Sequence, residues 1–276
     1  MELLGGGRRY EAYLAWDDHL GHLVVIKVVR PNLVGDGPAR HALAAEATLL
    51  ERLAHPLLVR SFGTAPDAER PHLVLELVEG PRLSTLIRRF GVILEQALPL
   101  ALNLCSVLHY LAREGVVHLD VKPRNIIMAG GPRLIDLSVA CTLPELTKLR
   151  TPVGTDVYMA PEQCDPARFA EIGPASDIWG LGVTVYEALT GDLPFPRPDE
   201  GVPHPQLAHA PRPPRDGVPA PLGELLMSCL ERRPTDRPTA AELARALEPL
   251  VERLPAPRIG NFRPGARQLV ERLEAS

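Results

Sequence analysis

Four polar side chains near the middle of the chain have the types and the spacing needed to move a phosphoryl group. They lie in the stretch His118-Leu119-Asp120-Val121-Lys122-Pro123-Arg124-Asn125 and at Asp136, eleven residues after Asn125. A carboxylate such as Asp120 can accept the proton of an incoming hydroxyl, and an ammonium such as Lys122 can neutralise charge on the transferring group. Amide and carboxylate oxygens are hard ligands suited to Mg²⁺, which indicates Asn125 and Asp136. Short β-type runs flank these residues, so we expect them to lie on loops.

Further motifs lie on both sides of this stretch. They are Val24-Val25-Ile26-Lys27, Glu46 in an apolar helical pattern nineteen residues after the lysine, Gly154-Thr155-Asp156-Val157-Tyr158-Met159-Ala160-Pro161-Glu162, Ser176-Asp177-Ile178-Trp179-Gly180-Leu181-Gly182, and Arg232-Arg233-Pro234-Thr235-Asp236-Arg237-Pro238-Thr239. From about residue 3 to about residue 252, their order and spacing resemble the protein kinase family. Lys122, placed two residues after Asp120, and Thr155 are similar to the Ser/Thr-specific branch of that family.

The resemblance implies a role for each position that matches a family motif. Asp120 would be the catalytic base, Lys122 would stabilise the γ-phosphate with Thr155 nearby, and Lys27 would hold the α- and β-phosphates while paired with Glu46. Mg²⁺ would be bound by Asn125 and Asp136. The remaining ATP-binding positions would be Leu4, Gly5, Gly7, Ala12, Val25, Leu75, Glu76, Val78 and Ile127. The cofactors implied are ATP and Mg²⁺.

Three positions depart from the family pattern. Tyr10 occupies the place of the third glycine of the phosphate loop, and Leu137-Ser138 replaces Phe-Gly after the metal aspartate. Leu119 stands where most regulated kinases have the arginine that receives an activation-loop phosphate, and leucine cannot bind phosphate. We therefore expect that phosphorylation of Thr147 or Thr151 is not a strict on-switch through this pocket.

Other matched residues are expected to support the site rather than to react. The resemblance implies that His118 packs beneath the catalytic loop and that Asp177 holds the backbone of that loop. Glu162 and Arg237 would form a buried ion pair, in which truncation of either residue leaves an unpaired charge.

The periodicity of the chain changes between its two parts. Strands are predicted at 13–16, 23–29, 59–63 and 72–77, with one main helix around Glu46, and helical patterns dominate from Ser84 onward. A buried core helix is predicted at 97–112. The resemblance then implies an α+β, bilobal protein-kinase-like fold. We predict a small β-rich lobe at 1–79, a larger α-helical lobe at 80–254 and a C-terminal tail at 255–276 with a short amphipathic stretch.

The segment 194–221 contains ten prolines in 28 residues, a density that predicts an extended loop because each ring removes a backbone donor. The resemblance implies a short docking helix in this region, which the loop would largely replace. The segment is interpreted as a long surface loop, and a proline-rich recognition segment for a partner is the alternative.

Composition limits the possible partners and the compartment. The formal net charge of −4 and the lack of a basic run argue against nucleic acid, and no apolar stretch is long enough to be a membrane segment. The four cysteines have no paired spacing, which favours reduced thiols in a cytoplasmic protein. No signal peptide is expected.

The resemblance predicts a Ser/Thr protein kinase that transfers the γ-phosphoryl group of ATP to protein substrates. A nucleotide-binding pseudokinase or scaffold with little turnover is the main alternative. A small-molecule phosphotransferase of similar fold is a third, less favoured because Ala160-Pro161-Glu162 and Arg237 match protein kinases.

Overall fold

The computed structural model describes residues 1–169, 171–199, 201–215 and 217–254. Its first part is a five-stranded antiparallel sheet in the order β1-β2-β3-β5-β4. The strands are β1 (Glu2–Gly6), β2 (Tyr10–Asp17), β3 (His22–Val29), β4 (Ser61–Ala65) and β5 (His72–Glu76). The four predicted strands are therefore present, with no end shifted by more than three residues. Cross-strand pairing between β3 and β5 places Lys27 opposite Leu73 and Val25 opposite Leu75.

One helix packs against this sheet. Helix α1 (Gly37–Arg52) begins after Asp36, whose carboxylate accepts a hydrogen bond from the Ala39 amide, and such an N-cap satisfies a free helix donor. Leu43, Glu46 and Leu50 lie on its buried face. A charged residue in that row is unusual, because burying a charge is costly without a partner.

The second part is helical. Its helices are α2 (Leu83–Phe90), α3 (Leu94–Arg113), α4 (Leu143–Leu146), α5 (Pro161–Cys164), α6 (Pro174–Thr190), α7 (Pro205–Ala208), α8 (Ala220–Cys229) and α9 (Ala240–Glu252). The core helix predicted at 97–112 is α3, and the α+β bilobal prediction is confirmed. The division at residues 79 and 80 remains a prediction.

Two short pairs of antiparallel strands flank the polar segments at 118–125 and at Asp136. Strand β6 (Val116–Val117) pairs with β9 (Cys141–Thr142), and β7 (Ile126–Met128) pairs with β8 (Pro132–Leu134). Residues 118–125 lie between β6 and β7, and Asp136 follows β8. These small sheets therefore bring both polar segments to the same edge of the helical part.

The connection between the two parts passes through Gly80. This glycine has φ 147°, and a Cβ there would overlap the Met128 carbonyl oxygen. Only glycine fits this close approach without a shift of the backbone. The chain then enters α2 at Arg82, which forms an isolated β-bridge with Ile127.

The prediction for the proline-rich segment 194–221 needs one correction. Within its described residues it contains the four-residue helix α7, and α8 begins at Ala220. Pro205 stands at the start of α7, where proline loses no helical hydrogen bond. The side-chain amide of the buried Gln206 donates to the Asp156 and Met159 carbonyl oxygens at 2.7 and 3.0 Å. A partner for this segment remains an untested prediction.

Among the residues that the structure describes, no helix has both the length and the apolar character required to cross a bilayer. The predicted tail at 255–276, with its amphipathic stretch, lies outside the described residues.

Candidate active site

Lys27 lies at the centre of a charge cluster in the cleft. Its Nζ donates to Glu46 Oε1 and Oε2 at 2.8 and 2.7 Å and to Asp136 Oδ1 at 2.7 Å. Burial disfavours the ammonium, but the carboxylates of Glu46 and Asp136 outweigh it and raise the pKa of Lys27 above its ordinary value. Lys27 and Glu46 thus form the predicted ion pair. Lys27 also contacts Asp136 directly, although the two residues are 109 positions apart in sequence.

Glu46 also connects α1 to the segment after Asp136. Besides binding Lys27, its Oε1 accepts a hydrogen bond from the Leu137 amide at 3.2 Å. Burial raises the pKa of Glu46, while Lys27 opposes the rise. The position of α1 and the position of Asp136 are therefore coupled through one carboxylate.

Asp136 has a left-handed backbone, with φ 69°. A non-glycine residue rarely adopts this conformation, and it persists where the surroundings hold it. Burial works against ionisation of Asp136, but Lys27 and the Ser138 side chain outweigh it and hold the pKa of this carboxyl well below its usual range. Leu137, which stands in the place of the family's Phe, is 1% exposed.

Asp120 accepts hydrogen bonds from three side chains. Lys122 Nζ donates to Oδ2 at 2.6 Å, Asn125 Nδ2 donates to Oδ2 at 2.9 Å, and the Thr155 hydroxyl donates to Oδ1 at 2.7 Å. Lys122 Nζ also donates to Thr155 Oγ1 at 2.5 Å. Asp120, Lys122 and Asn125 therefore form one hydrogen-bonded network with Thr155, which lies in the activation segment (residues 136–162). Asp120, at the centre of the network, is 8% exposed.

The donor set fits a magnesium ion shared with phosphates. Asn125 uses its Nδ2 to bind Asp120, so its Oδ1 remains free of hydrogen bonds to the described residues. Asp136 uses Oδ1 for Lys27 and Ser138, and its Oδ2 accepts no hydrogen bond within that same set. No group of three His, Cys, Asp or Glu residues able to hold a metal occurs among the described residues. Mg²⁺ commonly takes one or two protein oxygens and completes its shell with phosphate and water.

Asp177 binds the backbone of the loop 118–125, called the catalytic loop below. Its carboxylate accepts hydrogen bonds from the His118 and Leu119 amides at 2.7 and 2.8 Å, as predicted for a supporting residue. Leu119 has φ 63°. His118 is fully buried, and its Nδ1 accepts a hydrogen bond from the Asp120 amide at 3.3 Å. The backbone before Asp120 is therefore fixed by buried groups on α6 and in the loop itself.

The glycine-rich segment forms a hairpin between β1 and β2. The Gly7 amide donates to the Tyr10 carbonyl at 2.9 Å, and Arg30 Nε donates to the Gly7 carbonyl at 2.8 Å. Gly5 has φ 147°, which an L side chain rarely adopts. Leu4 is exposed at this point, and Ala12 is half-buried. The predicted phosphate loop thus has a closed turn, which Arg30, the residue directly after β3, contacts.

Tyr10 turns inward from this hairpin. Its hydroxyl donates to the Ala39 carbonyl of α1 at 2.9 Å, and its ring centre lies 5.0 Å from Lys27 Nζ. Burial raises the pKa of the phenol, with Lys27 opposing. The residue in the place of the third glycine therefore links the hairpin to α1 above the lysine.

The predicted nucleotide-base positions lie on both sides of the interlobe connection. Leu75 is buried, while Val25, Val78 and Ile127 are half-buried. The Glu76 carboxylate is paired with Arg60 and Arg133, and the Glu76 amide donates to the Arg60 carbonyl at 2.9 Å. Among the described residues the backbone groups of Val78 form no hydrogen bond, which leaves them available.

Leu119 contributes to a separate apolar cluster. Buried Val117, Leu119 and Leu146 pack with the partly buried residues Val139, Cys141, Leu149, Val153 and Ile172. Most of these belong to the segment between Asp136 and Glu162. The position where regulated kinases have arginine is therefore occupied by apolar packing.

The end of this segment is fixed by the predicted ion pair. Arg237 Nη1 and Nη2 donate to Glu162 Oε1 and Oε2 at 2.7 and 2.9 Å, with the side chains 0% and 1% exposed. Ser176 Oγ also donates to Glu162 Oε1 at 2.7 Å. The pair is bidentate and fully buried, which is the geometry in which an arginine–carboxylate contact is most specific.

Sequence reasoning assigned no role to Gln163, Arg82 or Arg124. Gln163 is buried and donates to the Leu119 and Val153 carbonyl oxygens, both at 2.8 Å. Its only sequence signal is its position directly after Glu162. Arg124 lies inside the stretch 118–125 itself, and Arg82 meets it through the fold.

The chain is similar in sequence to known proteins over most of its length. The profile of the protein kinase domain matches residues 1–247. Serine/threonine-protein kinase PkaA of Streptomyces coelicolor is 34% identical over 241 residues, which cover 84% of this chain and 44% of that protein. Probable serine/threonine-protein kinase PkwA of Thermomonospora curvata is 34% identical over 248 residues, covering 88% of this chain and 33% of that protein.

Serine/threonine-protein kinase PknB of Mycobacterium tuberculosis is 30% identical over 258 residues, covering 88% of this chain and 41% of that protein. The chain spans less than half the length of these curated relatives. The match over residues 1–247 agrees with a five-stranded sheet and a helical second part that meet around Lys27, Asp120 and Asp136. The chain therefore belongs to the protein kinase family.

Proposed function

We propose that this chain is a Ser/Thr protein kinase that transfers the γ-phosphoryl group of ATP to hydroxyl groups of proteins. The observation that carries the proposal is the convergence of Asp120, Lys122, Asn125 and Thr155 in one hydrogen-bonded network. The names of the bacterial relatives, which are serine/threonine-protein kinases, support the same assignment.

Asp120 would act as the base. Its Oδ1 accepts a hydrogen bond from the Thr155 hydroxyl at 2.7 Å, so the hydroxyl of a substrate Ser or Thr can donate to this carboxylate in the same way. Lys122 and Asn125 hold the other oxygen and fix the direction of the carboxylate. Positioned proton acceptors of this kind contribute about 10²–10⁴ to the rate.

The phosphate side of the reaction would be bound by groups on both parts of the fold. Lys27, kept protonated by Glu46 and Asp136, would bind the α- and β-phosphates, and Lys122 would neutralise charge on the transferring group. Asn125 Oδ1 and Asp136 would hold Mg²⁺, which when bound neutralises charge on the phosphate oxygens. The hairpin glycines Gly5 and Gly7 would cover the triphosphate.

The nucleotide base would lie between the two parts. We assign its apolar contacts to Leu4, Ala12, Val25 and Ile127, with Leu75 at the back of the pocket. Backbone groups of Glu76 and Val78 would supply hydrogen bonds to the ring, because the Glu76 side chain is already paired with two arginines.

A cytoplasmic location is part of the proposal. The reaction consumes ATP, and the four cysteines are all free thiols in the structure. Free cysteines are typical of reducing compartments.

A nucleotide-binding pseudokinase is the second candidate, and Tyr10 is the observation that favours it. Its ring stands 5.0 Å from Lys27 Nζ, in the place where the family has a third glycine. In that case ATP would bind and stabilise the protein without phosphoryl transfer.

Substitution of Asp120 separates the two candidates. With radiolabelled ATP and a generic protein substrate, we expect Asp120→Asn to lower transfer by about 10²-fold or more, because the amide cannot accept the proton. Asp18→Asn, on the exposed turn between β2 and β3, is the matched control and should retain full transfer. Equal, background-level labelling by the wild type and Asp120→Asn, together with ATP-induced thermal stabilisation, would identify a pseudokinase instead.

A further inference from the structure

The side chain of Arg82 contacts the backbone of Arg124, next to the loop that carries Asp120. Arg82 immediately precedes α2, its backbone is bridged to Ile127, and its Nη1 donates to the carbonyl oxygen of Arg124. Arg124 belongs to the 3₁₀ turn Pro123–Asn125 that follows Lys122. Residues 42 positions apart in sequence therefore place two guanidinium groups next to the catalytic loop.

These two charges are not compensated. Both side chains are exposed, and neither forms an ion pair with any residue that the structure describes. Partial burial lowers the pKa of Arg82, and the neighbouring Arg124 lowers it further, whereas Asp136 opposes the change. The two like charges disfavour each other, and an anion bound between them would relieve the repulsion.

The rim containing these arginines borders the proposed base and the segment where a protein substrate would lie. Asn125, the residue after Arg124, donates directly to Asp120 Oδ2 at 2.9 Å. Tyr158 lies three residues after Thr155; burial and its hydrogen bond to Glu187 raise the pKa of its phenol, and the charge of Arg124 opposes that rise. Arg124 is therefore next to a residue that binds the proposed base, and its charge acts on Tyr158, which follows Thr155.

We propose that Arg82 and Arg124 select protein substrates that carry Asp or Glu near the target Ser or Thr. The proposal rests on the proposed kinase function and names its substrate class. A guanidinium group binds a carboxylate bidentately, and two adjacent guanidinium groups suit a peptide with more than one acidic residue.

A peptide fits this rim better than the nucleotide does. The cations assigned to the phosphates are largely enclosed, with Lys27 and Lys122 side chains 12% and 15% exposed. Arg82 and Arg124 are instead exposed at the surface, where a chain lying across the cleft can reach them. The formal net charge of −4 also means that attraction of an acidic peptide depends on a local basic site rather than on the whole protein.

Steady-state kinetics with paired peptides tests the specificity. The peptides share a central Ser or Thr and differ only in whether Asp and Glu or Lys and Arg surround it. We expect the wild type to have a kcat/KM about tenfold or more higher for the acidic peptide, since a hydrogen bond to a charged group is a strong one. In the double variant R82E/R124E the preference should shift to the basic peptide, through the KM for peptide, while the KM for ATP changes less than about twofold.

The matched control is R88E/R89E, which makes the same change of charge at the exposed end of α2. It should keep the acidic preference of the wild type. A milder variant, R82Q/R124Q, should abolish the preference without reversing it, and thermal melting of each variant verifies that it is folded.

Peptide binding tests the same idea independently of turnover. Fluorescence anisotropy with the labelled acidic peptide, measured on the full chain carrying Asp120→Asn, should show about tenfold weaker binding after R82E/R124E and none of that loss after R88E/R89E. If the wild type transferred no phosphoryl group but the binding difference were still seen, the kinase assignment would be overturned and the assignment of the two arginines to peptide binding would stand. A wild type that binds both peptides equally, or a double variant that changes only the KM for ATP, would overturn the assignment of these arginines to substrate.

Discussion

At the scale of single residues, the site depends on carboxylates whose oxygens are almost all in use. Glu46 binds Lys27 and the Leu137 amide, and Asp120 receives three side chains. Among the described residues, Asp136 Oδ2 and the amide oxygen Oδ1 of Asn125 accept no hydrogen bond, and these are the two atoms proposed to bind the metal. Hydrogen bonding therefore leaves open the two atoms that the proposed chemistry needs.

Tyr10 is a residue whose contribution can be isolated by removing one atom. Tyr10→Phe deletes the hydroxyl that donates to the buried Ala39 carbonyl at 2.9 Å. We expect a loss of about 1 kcal/mol in the free energy of unfolding, because one buried hydrogen bond between the hairpin and α1 is removed. Urea denaturation followed by circular dichroism measures it.

The matched control for Tyr10→Phe is Tyr186→Phe, whose hydroxyl makes a longer contact of 3.3 Å to the Pro213 carbonyl. We expect a smaller loss there. Equal stability of Tyr10→Phe and the wild type would show that the hairpin is not held to α1 by this bond.

The residues proposed for catalysis could be selected from the sequence because the proposed chemistry requires particular residue types at fixed spacing. Tyr10 was recognised as a departure, but its contact with Ala39 was not predictable. A tyrosine in a glycine-rich hairpin can point outward or inward, and the direction is set by the register of β2 against β3 and by the position of α1. The pairing of Arg82 with Arg124 was hidden for the same reason.

At the scale of elements, the segment between Asp136 and Glu162 is held by apolar contacts around Leu119. Leu119 and Leu146 are buried together, and the short helix α4 begins with a capping box between Thr142 and Glu145. Thr147 and Thr151 are both exposed just after α4. The geometry gives the segment a reason to be ordered without modification.

We therefore predict that the double variant T147A/T151A keeps kinase activity within about twofold of the wild type, since exposed substitutions of this kind rarely disturb a fold. Transfer from radiolabelled ATP to a protein substrate measures it. Thr155→Ala is the contrasting variant, because it removes the hydroxyl bound to Asp120 and should lower transfer strongly. Abolished activity in T147A/T151A with an intact fold would refute the prediction.

Four strands of the large sheet, the helix around Glu46 and helix α3 were located from periodicity, whereas the helix in the proline-rich segment was not. The density of prolines at 194–221 favours an extended chain, but α7 forms because Pro205 occupies its first turn and Gln206 is buried against Asp156 and Met159. Such a helix depends on a tertiary contact nearly fifty residues away in sequence, which no local pattern reveals.

At the scale of the whole molecule, one buried ion pair joins the activation segment to the far end of the helical part. Glu162 and Arg237 are 75 positions apart and both fully enclosed. The guanidinium also donates to the carbonyl oxygens of Ala175 and Arg232 and lies 4.9 Å from the Trp179 ring centre. Three segments thus share one cation.

Arg237→Ala should lower the free energy of unfolding by about 3–5 kcal/mol, because Glu162 would remain charged and unpaired in the interior. Chemical denaturation measures the loss. Arg245→Ala, on the exposed face of α9, is the control and should change stability by less than about 0.5 kcal/mol.

The double variant E162L/R237L completes this test. Replacing both charges by apolar side chains removes the unpaired carboxylate, so it should lose less stability than Arg237→Ala alone. A single variant as stable as the wild type would mean that the pair does not hold the segment.

The apolar cluster around Leu119 has a consequence for how the molecule responds to its surroundings. Attraction between an arginine and a phosphate fades as ionic strength rises and disappears when a phosphatase acts. Contacts among leucine, valine and isoleucine are insensitive to both, but they weaken on cooling. Order in this segment should therefore follow temperature rather than salt, and an enzyme that strips phosphate would have no bond there to break.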